Sequence, residues 1–70
     1  MNLQERLVNE IERVSVLRER YRGLLVMPGI NVKLAIAMMT SSIEFAKKAA
    51  SLSDPLTIMG AIRDLEGFTE

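Results

Sequence analysis

The stretch from Asn31 to Leu52 constrains the fold most, because its apolar residues form two stripes instead of one. Within each stripe they recur mainly at three- and four-residue steps, the spacing of one helix face. The first stripe consists of Val32, Ala35, Ile36, Met39, Ile43, Ala46 and Ala50. The second consists of Leu34, Met38, Phe45, Ala49 and Leu52. Only a narrow strip of the circumference stays polar, so the pattern predicts a central helix with packing partners on two sides.

The chain is short for a helix that needs two partners. Its 70 residues include no cysteine, and 49% of them are hydrophobic. A domain of this size buries only about 60% of its unfolded surface and is marginally stable alone. Because no disulfide can compensate, association with a partner is the easiest source of further stability. We therefore predict a homo-oligomer, in which a second protomer covers what one chain leaves exposed.

A second long helix is predicted before the central one. Residues 3–26 carry apolar side chains at near-heptad spacing, and Asn2 precedes them as an N-cap. Pro28-Gly29 then marks a turn, since the residue before proline leaves the helical region and glycine tolerates positive φ. Asn31 is predicted to cap the central helix, 31–52. The connection is so short that the two helices must fold back antiparallel.

A short third helix is predicted over residues 55–66. Asp54-Pro55 is a helix-start signal, and Gly67 is a C-cap. Gly60 inside this helix is interpreted as a point of close approach to a neighbouring helix. One face of the helix carries Ile58, Met59, Ile62 and Leu65. The fold class is thus all-α: one domain, residues 1–70, with an antiparallel two-helix hairpin, a short third C-terminal helix and an oligomeric assembly.

The composition excludes several functions. There is no histidine, which removes the usual general base and the commonest metal ligand. The acidic residues are scattered, and no glycine-rich phosphate loop is present, so we predict no enzyme, no catalytic residue, no metal and no cofactor. Nine basic and nine acidic residues cancel, which argues against DNA or RNA binding. No signal peptide or membrane span is predicted, and a cytoplasmic location is expected.

Three local features allow both a structural and a functional interpretation. Arg18 falls near the apolar face of the first helix, where its stem either covers the core edge or holds a charge at an interface. Lys33, Thr40 and Lys47 share the polar strip, as a solvated face or as a ligand site. The run from Arg18 to Arg22 is a charged helix end or a small nucleotide site built from arginines and Tyr21.

Residues 33–49 resemble the second helix of a family of small phage hairpin proteins. The resemblance lies in the KLAIA start, in Thr40 and in the KKA finish. These proteins, which include anti-CBASS and anti-Thoeris proteins, sequester cyclic-nucleotide signals of bacterial immunity. The resemblance implies an oligomer, active in the host cytoplasm, that holds a nucleotide between protomers without chemistry. The ligand-binding residues that it implies are Tyr21, Arg22, Asn31, Lys33 and Thr40.

The sequence therefore leads to two hypotheses of function. The first is a non-enzymatic phage-type protein that sequesters a cyclic nucleotide to counter bacterial defence. The alternative is an oligomeric helical interaction module, an adaptor, inhibitor or chaperone, whose exposed stripe binds a helix of a host protein and which holds no small ligand.

Overall fold

The computed structural model describes residues 2–27 and 31–69, and these form three helices. Helix α1 is Leu3–Leu24, α2 is Lys33–Leu52 and α3 is Pro55–Glu66. The all-α prediction is confirmed, with three helices packed together. No helix within the described ranges combines the length and the hydropathy that a membrane span requires.

Two contacts fix α1 and α2 as an antiparallel pair. Gln4 donates to the Ser53 hydroxyl over 3.1 Å, and Arg18 donates to the Thr40 hydroxyl over 3.3 Å. A step of 14 residues along α1 therefore corresponds to a step of 13 residues backwards along α2. Steps of nearly equal length and opposite sign mean that the two helices run side by side in opposite directions.

Helix α3 runs parallel to α1 and accompanies only part of it. Gln4 hydrogen-bonds Ser53, just before α3, and Arg13 donates to the carbonyl of Phe68, just after α3, over 2.8 Å. Arg6 also meets Glu66 at 3.5 Å. At 1.5 Å per residue, α3 is about 18 Å long and α1 about 33 Å. The molecule is accordingly elongated, 42 × 19 × 16 Å. Beyond Arg13, the described residues place no third helix beside the hairpin.

The core is built from side chains of all three helices. It contains three residues of α1, four of α2 and four of α3. These are Leu7, Val14, Leu17, Met39, Ile43, Ala46, Ala49, Ile58, Ala61, Ile62 and Leu65. Alanines supply three of the eight core residues on α2 and α3, and so small a side chain allows two helix backbones to approach closely.

The helix ends agree with the sequence in part. The Asn2 side chain accepts from the Glu5 amide at 2.8 Å, which confirms it as the N-cap of α1. The N-cap of α2 is Val32, not Asn31, because the helix begins two residues later than predicted. Gly67 is the C-cap of α3, as predicted. The predicted turn falls largely on residues 28–30, which lie outside the described residues.

Helix α3 corrects two predictions about packing. Met59 was expected on the buried face but is exposed, and Ala61 is buried in its place. Gly60 was expected at a close helix approach, but within the described residues no atom lies within 4 Å of the position its Cβ would take. The buried face of α3 is therefore rotated about the helix axis, away from Met59 and towards Ala61, relative to the face predicted from the large apolar residues.

Candidate functional site

The most prominent candidate site is the second apolar stripe of α2. Four of its five members are exposed, namely Leu34, Met38, Phe45 and Leu52, which we call the α2 stripe. Only Ala49 is buried. The first stripe behaves differently, since Met39, Ile43 and Ala46 are in the core. One chain thus covers the first face of α2 and leaves most of the second in contact with solvent.

The α2 stripe is exposed for two different reasons. Leu34 and Met38 belong to the half of α2 that pairs with the end of α1, where α3 does not reach. Phe45 and Leu52 stay exposed in the other half, because the buried residues there are the neighbouring Ala46 and Ala49. The result is a line of apolar side chains along α2, interrupted by Ser41 and Lys48. Lines of this kind on a small protein mark interaction surfaces.

Small and polar residues flank the α2 stripe. Ala37, Ser41 and Ser51 are exposed beside it, and Lys48 is exposed within it one turn after Glu44. Small flanking side chains allow a second helix to approach closely. The long stem of Lys48 can cover apolar surface while its ammonium group stays in water.

Arg18 and Thr40, two residues singled out in the sequence, form a pair across the hairpin. Both are half-buried, and Arg18 Nη1 donates to Thr40 Oγ1 over 3.3 Å. Arg18 Nε is buried and has no hydrogen-bond partner among the described residues. The guanidinium is therefore held between α1 and α2, and one of its donors remains unsatisfied.

The other predicted ligand residues lie near the end of α1 and at the start of α2. Tyr21 is half-buried and packs against the core, whereas its neighbour Arg22 is exposed and ion-paired with Glu19. Asn31 and Lys33 are both exposed, and the Asn31 side chain accepts from the Lys33 amide at 3.3 Å. Among the described residues, this Asn31–Lys33 hydrogen bond is the only one that joins two of the five candidates.

Two surface depressions occur elsewhere on the molecule. One, of about 130 Å³, lies between α1 and α3 and is lined by Leu3, Arg6, Met59, Ile62, Arg63 and Glu66. The other, of about 280 Å³, follows the first two turns of α1. Neither depression contains a predicted ligand residue. The described residues also contain no group of three or more acidic side chains that could hold a metal ion.

Arg13 has a structural role that the sequence did not reveal. Its Nε and Nη2 donate to the two carboxylate oxygens of Glu10 at 3.0 and 3.1 Å. Its Nη1 and Nη2 also donate to the carbonyls of Phe68 and Leu65 at 2.8 and 3.0 Å. The guanidinium therefore joins α1 to the carboxyl end of α3, where helix carbonyls lack partners. The three-residue spacing of Glu10 and Arg13 was the one signal present in the sequence.

One carboxyl group has a clearly shifted pKa. The Thr57 hydroxyl donates to Asp54 Oδ2 over 2.6 Å at the start of α3. This hydrogen bond lowers the pKa of Asp54, and the nearby Thr57 and Leu56 amides act in the same direction. A carboxylate at a helix start also stabilises the helix through its dipole.

Comparison with known proteins adds no relative. No protein family, curated protein or solved structure matches this chain.

Proposed function

We propose that this protein is a non-enzymatic helical interaction module that binds a helix of another protein chain through the α2 stripe. The observation that carries the proposal is the exposure of Leu34, Met38, Phe45 and Leu52 along one line of α2. A line of apolar anchors at helical spacing is the feature by which helices dock against each other.

The packing of the three helices supports this proposal. A chain that needed α2 only as a core helix would gain stability by keeping the second face polar or by covering it. Here Ala49 is covered, whereas the larger side chains of the second face stay in water. Each fully buried Leu, Met or Phe is worth about 1.5–3 kcal/mol, so a partner helix on the α2 stripe would be strongly stabilised.

A photo-crosslinking experiment tests the proposal. Phe45 is replaced by benzoylphenylalanine, and the protein is irradiated in the cells that produce it naturally. A matched control carries the same group in place of Val16, which is similarly exposed on α1. We expect a defined protein adduct from position 45 and none from position 16. The proposal is wrong if position 45 forms no adduct with any protein, a second copy included.

Nucleotide sequestration is the second candidate, and one observation favours it. Arg18 Nε is buried beside Thr40 without a partner among the described residues, and a phosphate oxygen is a strong acceptor for such a donor. Tyr21, three residues along α1, offers a ring on which a base can stack. Together they would form the phosphate and base contacts of a site completed by another protomer.

Calorimetric titration tests this second candidate. The protein is titrated with cyclic dinucleotides, cyclic trinucleotides and cyclic ADP-ribose isomers. We expect heat with one class, and loss of that heat in Arg18→Met. Arg6→Met serves as the control, because Arg6 is exposed, is paired with Glu66 and belongs to none of the candidate ligand residues. Absence of heat with every compound would exclude this candidate and leave the interaction module untouched.

A further inference from the structure

We infer that the partner of the α2 stripe is a second copy of this chain, with the two α2 helices packed antiparallel about a two-fold axis. The inference rests on the proposed function, since it names the occupant of the same surface. Its basis is the order of side chains along the stripe and the area that they expose.

The α2 stripe has the spacing of a coiled-coil seam. With Ser41 and Lys48 included, its positions follow one another at alternating steps of four and three residues. This alternation is the heptad pattern of two helices in continuous contact. The positions in order are Leu34, Met38, Ser41, Phe45, Lys48 and Leu52. All six are exposed.

This order is self-complementary when a second copy runs in the opposite direction. A two-fold axis at the level of residue 43 places Leu34 against Leu52 and Phe45 against Ser41 of the other copy. Each large ring then faces a small side chain, and each end of the seam is a leucine pair. Met38 receives the aliphatic stem of Lys48. Because the two-fold axis makes each contact occur twice, the same surface of α2 serves as the interface on both copies.

A parallel arrangement of two copies is less favourable. It would place Phe45 against Phe45 in one layer and leave a gap between two Ser41 side chains in the layer before. It would also place Lys48 against Lys48, which brings like charges together. The antiparallel register avoids all three, so the sequence of the seam selects the direction of the partner.

The area of the α2 stripe is sufficient for a pair of chains. Leu34 is 72% exposed, Met38 53%, Phe45 47% and Leu52 63%. These fractions amount to roughly 500 Å² per protomer, so two copies would cover on the order of 1,000 Å², the size at which an interface is biologically credible. Ser41, Lys48 and Ala37 add to this area.

The antiparallel register makes one unfavourable contact, and that contact is diagnostic. Glu44 flanks the seam close to the two-fold axis, so it would approach Glu44 of the other copy. Lys48, one turn further along the same helix, partly neutralises it. A partner with a different sequence would not repeat Glu44 at this place.

Cysteine pairing tests both the partner and its direction, because the natural chain contains no cysteine. Residues 34 and 52 are about 27 Å apart on one helix, so cysteines there cannot join within a chain. In the antiparallel pair they meet across the interface. We expect Leu34→Cys/Leu52→Cys to form a covalent dimer on mild oxidation. Each single variant should stay monomeric on a denaturing gel.

The alternative results have distinct meanings. Dimers from the single variants would overturn the antiparallel direction. The proposal of a second copy as partner would be overturned by two results together. The double variant would form no covalent dimer, and the natural protein would sediment with the mass of a single chain at micromolar concentration. In that case an adduct between position 45 and another protein would still support the proposed function. Both substituted side chains are exposed, so the fold is retained.

Sedimentation of two further variants tests the register. Glu44→Gln is expected to tighten the dimer about twofold by removing the like-charge contact. Phe45→Ser is expected to weaken the dimer at least tenfold, whereas Val16→Ser, an exposed control on α1, should leave it unchanged. An unchanged dissociation constant for Glu44→Gln would contradict the proposed register.

Discussion

Arg18 Nη1 lies 3.3 Å from Thr40 Oγ1, and this contact joins the two long helices in the half of the hairpin that α3 does not reach. The pair is half-buried, and Arg18 Nε has no partner among the described residues. Thr40→Val keeps the side-chain shape but removes the acceptor, which leaves a second donor unsatisfied.

We expect Thr40→Val to lower the free energy of unfolding by about 1–2 kcal/mol. Arg18→Met removes the charge and all its donors together, so its effect should be near zero or stabilising. Urea denaturation followed by circular dichroism measures both. Arg22→Met is the control, since exposed ion pairs contribute little. Equal losses for Thr40→Val and Arg18→Met would contradict an unsatisfied guanidinium as the cause.

The hydrogen bonds of the Arg13 guanidinium to the carboxyl end of α3 should make a measurable contribution to the stability of α3. Arg13→Met removes hydrogen bonds to Glu10 and to the carbonyls of Leu65 and Phe68, so we expect a loss of about 2–3 kcal/mol. Arg13→Lys should recover little, because an ammonium group cannot reproduce the planar fork. In Arg13→Met, amide hydrogen exchange should become faster than in the natural protein, and the increase should be larger in α3 than in the middle of α1. Full recovery by lysine would argue for charge alone.

Ser53 predicts a gain of stability. It is the C-cap of α2 with φ of 56°, a left-handed conformation that costs an L-residue about 1–2 kcal/mol. Ser53→Gly removes that cost and loses only an exposed hydrogen bond from Gln4. We expect a net gain of about 0.5–1 kcal/mol in thermal or urea unfolding. Gln4→Ala isolates the hydrogen bond, and Ser53→Val should be destabilising because branching is disfavoured there.

Asp54 predicts a contribution to stability that depends on pH. The Thr57 hydroxyl lowers the pKa of this carboxyl in the folded state. The unfolded chain then binds the proton more readily, so the contribution is present above the ordinary carboxyl pKa of about 4. It is lost as pH falls through the lower folded-state pKa. Asp54→Asn should therefore reduce the loss in the free energy of unfolding between pH 6 and pH 3, measured by urea unfolding at both pH values. Thr57→Val should reduce the same loss, because it removes the hydroxyl that lowers the pKa of Asp54.

The apolar periodicity was enough to predict the two faces of α2 and most of the core. The periodicity did not predict the positions at which a small residue, instead of a nearby large apolar one, is buried in the core. Ala61 is buried and Met59 is exposed, because side-chain volume as well as hydrophobicity decides which residue fits in a close-packed core. The hydrogen bonds from Arg13 to α3 could not be predicted either, since their acceptors are backbone carbonyls. Periodicity carries no information on such acceptors.

The candidate site was predictable only in outline. The sequence indicated that α2 needs a second partner, and the exposed α2 stripe is consistent with that need. The three-residue spacing of Glu19 and Arg22 was enough to predict that these two residues pair. The sequence could not show that Thr40 turns from its polar strip towards Arg18, because that contact depends on the rotation of one helix against another. A rotation of this kind is set by packing of the whole bundle, which a single helix pattern does not contain.

The neighbouring residues Gly60 and Ala61 predict opposite effects of adding carbon atoms. Gly60 is exposed, and within the described residues nothing lies within 4 Å of its added Cβ, so Gly60→Ala should stabilise α3 by about 1 kcal/mol. Ala61 is fully buried, and Ala61→Leu would overpack the core, at a cost of about 1–3 kcal/mol or more. Urea unfolding of both variants, with Ala37→Gly as a helix-propensity control on α2, measures the contrast. A loss of stability in Gly60→Ala would mean that another chain packs against this face of α3.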